Sequence, residues 1–341
     1  MNSCFALLVL LMSNHADFSG YAETRIFLTG TNSINFFGYS RGWLELKSDA
    51  DYYGGQAAFD YTAAYDTAHF TGVGSGIDVA RLAVWLGPEN LRITAGKQRI
   101  QWGVARVFRP LDIINPTNFF EPGYERPGFP AILASYAPGR LTDIRFLYQP
   151  RFYPAGNRYA GRVGTNILKN DLGLSAFYQP GDRIWIAGAD LAGELLVGYW
   201  GEATVTHEDS VYYIKTTLGV DYTFPGMVYA LAEYFHDQSG ESEPDEYDYQ
   251  KLISGDRSTL GQNYLYLSLA LARGLVLSPG LNAVCNLDDR SGIVIPQTSY
   301  QPWDNVELNF GVTVPFGFRS GEFRRTAPYD LMVFLWGKVF F

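Results

Sequence analysis

The sequence predicts an all-β fold: a transmembrane, antiparallel up-and-down β-barrel of about 18 strands, with 16 as the alternative count. Three observations carry this. Aromatic residues make up 16% of the 341 residues and charged residues only 18%, less charge than a soluble surface usually holds. Mean hydropathy is −0.08, and past the first dozen residues no apolar run approaches the roughly 18 needed for a spanning helix. Alternation of period two, the signal of a strand with two unlike faces, recurs from end to end.

The chain opens with an export signal over residues 1–16. Phe5 to Met12 (FALLVLLM) is its apolar core, and Ala16 supplies the small residue for cleavage. Cys4 would leave with it, so Cys285 is the remaining thiol, and neither a disulfide framework nor a cysteine metal site is expected. Residues 17–341 then form a single barrel domain.

Strand centres fall near Thr24, Arg41, Tyr61, Ala83, Gly96, Ser135, Arg145, Thr165 and Ser175, then Ala187, Tyr199, Leu218, Leu231, Leu267, Ala283, Ile295, Phe310 and Leu335. Stripes such as Leu265, Leu267, Leu269 and Leu271, bounded by Tyr or Phe, suit a lipid-facing surface. The long connections, around Gly72, Asn115, Pro154, Pro244 and Arg324, all follow odd-numbered strands. Tight turns such as Phe224-Pro225-Gly226 follow even-numbered ones. An even strand count with both termini on the periplasmic side reproduces that division. The last strand, DLMVFLWGKVFF, ends on Phe341, the kind of terminal strand that outer-membrane assembly machinery reads.

The longest connection of mixed character, about 103–130, is too apolar and proline-rich for a solvated loop. Arg106, Arg109, Asp112, Asn115, Glu121 and Arg126 sit there among Phe108, Ile113, Ile114 and Phe119. Folded into the barrel, it would shelter its apolar groups and narrow the pore; the alternative is packing over the barrel mouth. The surrounding stretch from Arg81 to Lys169 holds 13 basic and 5 acidic residues, within a chain of net charge −9. These basic residues are spaced through strands with apolar groups on the other face, so a pore wall is expected and a nucleic-acid surface is not.

Facing parity gives the candidate pore lining. Apolar residues at Leu82, Leu91, Ile93, Ile144, Phe146, Ile26 and Leu28 take the lipid side, because a charge there would cost about 2–4 kcal/mol at mid-membrane. Arg25, Arg81, Arg92, Asp143, Arg145, Glu202, Lys215, Asp221 and Glu233 then face inward. Such charges set a transverse field and an ion preference, or pair with one another and stiffen the wall. Lys97 and Arg99 fall on the lipid-side parity: either the strand has left the hydrocarbon there or a bulge switches its faces. The acidic stretch Asp237–Ser258 reads as a solvated outer loop rather than a cation site.

No His-Glu-x-x-His, P-loop, nucleophile elbow or zinc-cysteine spacing is present, and His69, His207 and His236 lie near strand ends or in loops. No enzyme activity, metal or cofactor is therefore expected.

GKQRIQWG followed by RPLDIINPTNF resembles the Gly-x-Gln…Trp-Gly…Asp-x-x-Asn-Pro pattern of Gram-negative outer-membrane barrels related to the alginate-export porins. GVDYTFPGMVYALAEYFH and NLDDRSGIVIPQTSYQPWDNVEL are similar in the same setting, so the resemblance spans Phe18 to Phe341. It implies a monomeric barrel of about 16 to 18 strands with a porin-like role. Acidic Glu202, Asp221 and Glu233 in the inferred lumen argue against alginate itself as the cargo. The expected function is a passive or weakly selective channel for small hydrophilic solutes with some preference for anions. The alternative is a non-transporting barrel with a structural, adhesive or surface-binding role. Expected partners are outer-membrane lipid and lipopolysaccharide, the barrel assembly machinery and small solutes.

Overall fold

In the computed structural model the alternation becomes eighteen antiparallel strands among the described residues, each paired with its sequence neighbours, and the last closes on the first. The structure describes residues 16–30, 34–50, 52–66, 74–88, 90–114, 128–152, 154–253, 257–271, 276–327 and 329–341. Residues 1–15 of the expected export signal, and Asn115, Glu121 and Arg126 of the long connection, lie outside them, while Ala16 opens the first strand.

The first six strands are β1 (Ala16–Gly30), β2 (Ile34–Asp49), β3 (Tyr53–Asp66), β4 (Gly74–Leu86), β5 (Leu91–Gln98) and β6 (Phe129–Tyr136). Next come β7 (Thr142–Gln149), β8 (Arg158–Ile167), β9 (Asn170–Gln179), β10 (Ile184–Glu194), β11 (Gly198–Glu208) and β12 (Val211–Phe224). The last six are β13 (Val228–Asp237), β14 (Asn263–Leu271), β15 (Leu277–Asn286), β16 (Ser291–Trp303), β17 (Val306–Phe316) and β18 (Leu331–Phe340). All eighteen expected strand centres fall inside them, which settles 18 strands over 16. Two one-turn helices, α1 (Tyr249–Ile253) and α2 (Glu322–Thr326), lie in the connections after β13 and β17. The longest connections, 99–128, 238–262 and 317–330, follow odd-numbered strands, and those after even-numbered strands run from two to five residues.

Closure removes the unpaired edge an open sheet would expose. β1 and β18 pair from Tyr21↔Phe340 to Gly30↔Leu331. Phe341 extends the seam by exchanging two backbone hydrogen bonds with Gly20, at 2.9 and 3.0 Å. A side chain at position 20 would meet the Phe341 ring and the Trp43 carbonyl, so glycine is required for that approach.

Outward residues such as Leu218 and Val220 on β12 are exposed, while inward Thr217 is fully buried. An irregularity in β4 precedes Arg81. Ala58 pairs with Arg81 but Phe59 pairs with Val79, so Ala80 is an extra residue. Ile77 and Val79 before it, and Leu86 after it, are thereby all on the exposed side although their parities differ. At Lys97, β5 is one residue from its end, just after Gly96 turns to φ +129°, and the ammonium pairs with Asp78 at 3.1 Å.

The two-residue turn between β8 and β9 places Leu168 and Lys169 at φ 52° and 67°. Such hairpin turns favour Asn-Gly, whose backbones enter this region with little strain. Replacing Leu168-Lys169 by Asn-Gly is expected to stabilise the barrel by about 1 kcal/mol, read as a raised urea midpoint of unfolding from lipid vesicles.

Candidate functional site in the barrel interior

The chain leaving β5 turns into the barrel. Ile100 and Trp102 are buried against Ala131, Leu147, Ala160 and Phe177 of β6 to β9, and Ile113 and Ile114 pack on the same cluster. Packing there is close: Trp102, Leu111, Ile113 and Phe177 border a void of about 10 Å³, room for one water at most. Ala105 packs on Trp200 and Leu231, and Phe108 on Phe235, Tyr264, Val284 and Ile293. The described part of the segment thus runs along the inner wall from β6 round to β16.

Two carboxylates from that wall hold its backbone. Glu233 of β13, fully buried, accepts N–H groups from Phe108 (2.7 Å), Val107 (3.0 Å) and Arg106 (2.8 Å), and from the Trp200 indole (2.8 Å). Glu202 of β11 accepts those of Ala105 (2.6 Å) and Leu111 (3.2 Å). Three successive N–H groups turned one way form a concave anion-binding nest. Arg109 secures the opposite side of the turn, donating to the carbonyls of Ala105 (2.7 Å) and Arg106 (3.1 Å). Between the two carboxylates, on β12, Thr217 donates to the Phe108 carbonyl at 2.9 Å. Gly103 is needed here, because its φ is +90° and a side chain would collide with the Glu202 carboxylate.

The inward charges elsewhere pair locally. Arg25 bonds Glu23 on its own strand and lies over the Trp336 ring at 5.1 Å. Arg81 meets Glu45 at 3.6 Å, Arg92 meets Asp49 at 3.9 Å, and Arg145 meets Asp143 at 2.8 Å. Lys215 pairs with Asp237 at 2.9 Å, and Asp221 accepts the Tyr229 hydroxyl at 2.8 Å. Asp112 is buried. The structure brings Glu202 and Glu233 together with Arg106 and Arg109, whereas Arg25, Arg81, Arg92 and the Asp143–Arg145 pair occupy the β1–β7 wall. Sequence reasoning missed Arg41, which grips Asp60 through two bonds of 2.7 Å, and Arg162, which grips Asp190. Both stand at inward parity, and extending the facing assignment to β2 and β8 would have found them.

It also missed a buried knot at the loop end of β14 to β16. Glu322 on α2 accepts the Tyr264 hydroxyl, the Asn286 amide (2.7 Å) and the Leu260 N–H (3.1 Å). Asp289 accepts the N–H groups of Glu322 (2.6 Å) and Ser291 (2.7 Å). Phe323 beside Glu322 packs on Tyr264, which packs on Phe108 of the interior segment. No local pattern in GEFRRT announces this. Among the described residues no group of His, Cys, Asp and Glu has the arrangement of a metal site.

These interactions sit inside a barrel of known type. No family model matches the sequence, and no curated protein matches it either. Solved structures do match in fold. Pseudomonas aeruginosa OccK5 (OpdH) superposes with a TM-score of 0.64 at 9% identity, covering 95% of this chain and 98% of its own. OpdK of the same organism, solved with vanillate, gives 0.64 at 8% identity, covering 96% and 98%. The P. aeruginosa outer membrane protein OprD gives 0.61 at 9% identity, covering 96% and 94%. The chain therefore has the fold of these outer-membrane barrels over nearly its whole length.

Glu233 clamps three successive backbone N–H groups and the Trp200 indole through one side chain. Glu233→Ala is expected to loosen the segment by about 3 kcal/mol while the barrel stays closed, since a hydrogen bond to a charged group contributes about 1.5–3 kcal/mol. Trypsin cleavage after Arg106 and Arg109 in the folded, detergent-solubilised protein should quicken in Glu233→Ala and in Glu202→Ala. Equal cleavage in all three proteins would refute the clamp.

Burial, with the Asp289 charge adding to it, pushes the Glu322 carboxyl from its ordinary 4.5 up to about 7. The folded state therefore holds a proton that the unfolded chain has already lost. Stability is expected to fall as pH rises from about 4.5 to about 7 and to level off above, and Glu322→Gln should flatten the curve. Thermal melting across that range reads it.

Proposed function

We propose that this chain is an outer-membrane channel through which small hydrophilic solutes diffuse, weakly selective and with some preference for anions. The observation that carries the reading is the segment 99–114, anchored to the inner wall of a closed barrel by Glu202, Glu233 and Thr217. A wall sealed by eighteen strands with an apolar exterior offers solutes one route, the interior, and a segment fixed there sets its width and charge. Arg106, Arg109 and Asp112 belong to that constriction, and Arg25, Arg81, Arg92, Asp143, Arg145, Lys215 and Asp221 to the wall around it; Asn115, Glu121 and Arg126 are assigned to the same connection by sequence alone.

The export signal and the terminal strand ending at Phe341 support delivery to a bacterial outer membrane by its barrel assembly machinery, with lipopolysaccharide and lipid against the exterior. The Gly-x-Gln…Trp-Gly…Asp-x-x-Asn-Pro spacing supports kinship with the alginate-export porins. Likeness to OpdK and OprD supports the channel reading through fold, and no catalytic role is assigned. The second reading, a non-transporting barrel, is favoured by the close packing of the segment around Trp102.

Single-channel recording in planar bilayers separates the two. The wild type is expected to give discrete current steps, and Glu233→Ala, with its segment released, noisier and larger ones. A correctly folded wild type that never passes current would eliminate the channel.

A further inference from the structure

The outer wall is not uniform from β7 to β13. Tyr148, Tyr159, Tyr178, Trp185, His207 and Tyr212 pair in register across six strands, one row of rings at the loop end. Such a row marks one interface of a membrane. The opposite ends of β10 and β11 meet in the turn Leu195-Leu196-Val197, whose leucines are 81% and 90% exposed. Leu195 comes ten residues after Trp185, and a strand tilted by about 45° crosses the hydrocarbon in about 9–11 residues. The leucines therefore reach the far limit of the hydrocarbon, where acyl chains rather than water surround them.

Above that turn the outer face carries a groove of about 440 Å³. Leu191, Gly201, Leu218, Tyr234 and Leu265 form one row of register partners along it. Tyr199, Val220 and Ala232 form the next row toward the turn. Gly201 and Ala232 are the small members of their rows and stand on either side of β12, so the surface dips at both. A side chain at position 201 would meet a Leu218 methyl at 3.2 Å, so that leucine walls the dip. Trp200 and Glu233 also border the groove, but their side chains are committed inside the barrel, Trp200 to Glu233 and Glu233 to the Phe108 N–H. The outward lining carries no charge.

We propose that this groove seats one glycerophospholipid of the periplasmic leaflet, with an acyl chain over Gly201 and Ala232 and the headgroup end at the Leu195–Val197 turn. The groove is continuous with the lipid-facing wall, which fixes the class of occupant. Its depth fixes the leaflet: Leu218 and Val220 come six and eight residues after Tyr212, in the half of the hydrocarbon nearer the short turns. Acyl chains are as apolar as the wall, so release of water contributes nothing and packing decides. Small residues let the chain approach the backbone closely, as they let membrane helices approach one another. Leu191, Leu218, Val220 and Leu265 then flank the chain as well as underlie it, and each added contact gains dispersion. The site stands whether or not the interior conducts.

The test titrates 1-palmitoyl-2-oleoyl-phosphatidylethanolamine into the detergent-folded protein and counts retained lipids by native mass spectrometry. The wild type is expected to keep one lipid under activation that strips the others. Gly201→Leu and Ala232→Leu fill the dips and should each lower the retained fraction by about tenfold. Ala187→Leu adds the same bulk at an exposed position of β10 outside the groove and should retain lipid like the wild type. Heat-modifiable gel mobility verifies folding; if Gly201→Leu fails to fold, Ala232→Leu decides. No retained lipid on the wild type, or equal retention by wild type and the readable groove variant, would overturn the site. Sedimentation supplies the second arm: a dimer that the groove variants dissociate would assign the groove to a second copy of the chain and overturn the lipid.

Discussion

The interior of this barrel is organised by two carboxylates that receive main-chain N–H groups. Glu202 and Glu233 are almost wholly inaccessible, and a charge so placed costs several kcal/mol unless its lone pairs are filled. Here they are filled largely by backbone from a segment about a hundred residues earlier in the chain. The dependence runs both ways. Without the turn at Ala105–Phe108 the carboxylates would be buried and unmatched; without them the turn would hold successive N–H groups with no acceptor in an apolar setting. Such mutual need selects one conformation of the segment far more sharply than the apolar contacts of Phe108 or Trp102 do, since hydrophobic burial is non-directional.

This changes what the charge pattern means. The chain as a whole carries an excess of acid over base, net −9. Much of that acid is engaged: Glu202 and Glu233 on N–H groups, Asp60 and Asp190 on arginines, Asp289 on the backbone of α2. What the interior presents is the charge left over after internal pairing. Arg106 matters for that reason, being exposed on the interior segment while its neighbour Arg109 bonds the backbone of its own turn.

The barrel itself was legible because each strand declares its two faces locally, and connection length declares the two ends. The alternation placed Arg25, Glu202 and Glu233 inward, and they face inward. It is silent at particular points for identifiable reasons. The extra residue at Ala80 alters parity without any glycine or proline to mark it. The bonds from Glu202 and Glu233 to residues 105–111 are meetings of distant segments, and alternation says nothing about which backbone will lie opposite an inward carboxylate. The knot around Glu322 is harder still, because it joins the connections after β13, β15 and β17, none of which has a periodic pattern to read.

That knot also bears on the interior segment. Phe323 touches Tyr264 from the loop side, and Tyr264 touches Phe108 from the wall, with ring centroids 6.4 and 5.7 Å apart. Tyr264 further accepts the N–H groups of Leu260 and Gly261, so the connection after β13 is tied to the same side chain. Phe108 is in turn the residue whose N–H reaches Glu233 and whose carbonyl reaches Thr217. A continuous chain of contacts therefore joins α2 to the carboxylate that sets Arg106. Tight packing transmits displacement because it leaves no void to absorb it. The loop connections after β13 and β17 and the interior segment consequently form one mechanical unit, and the position of the exposed guanidinium depends on both.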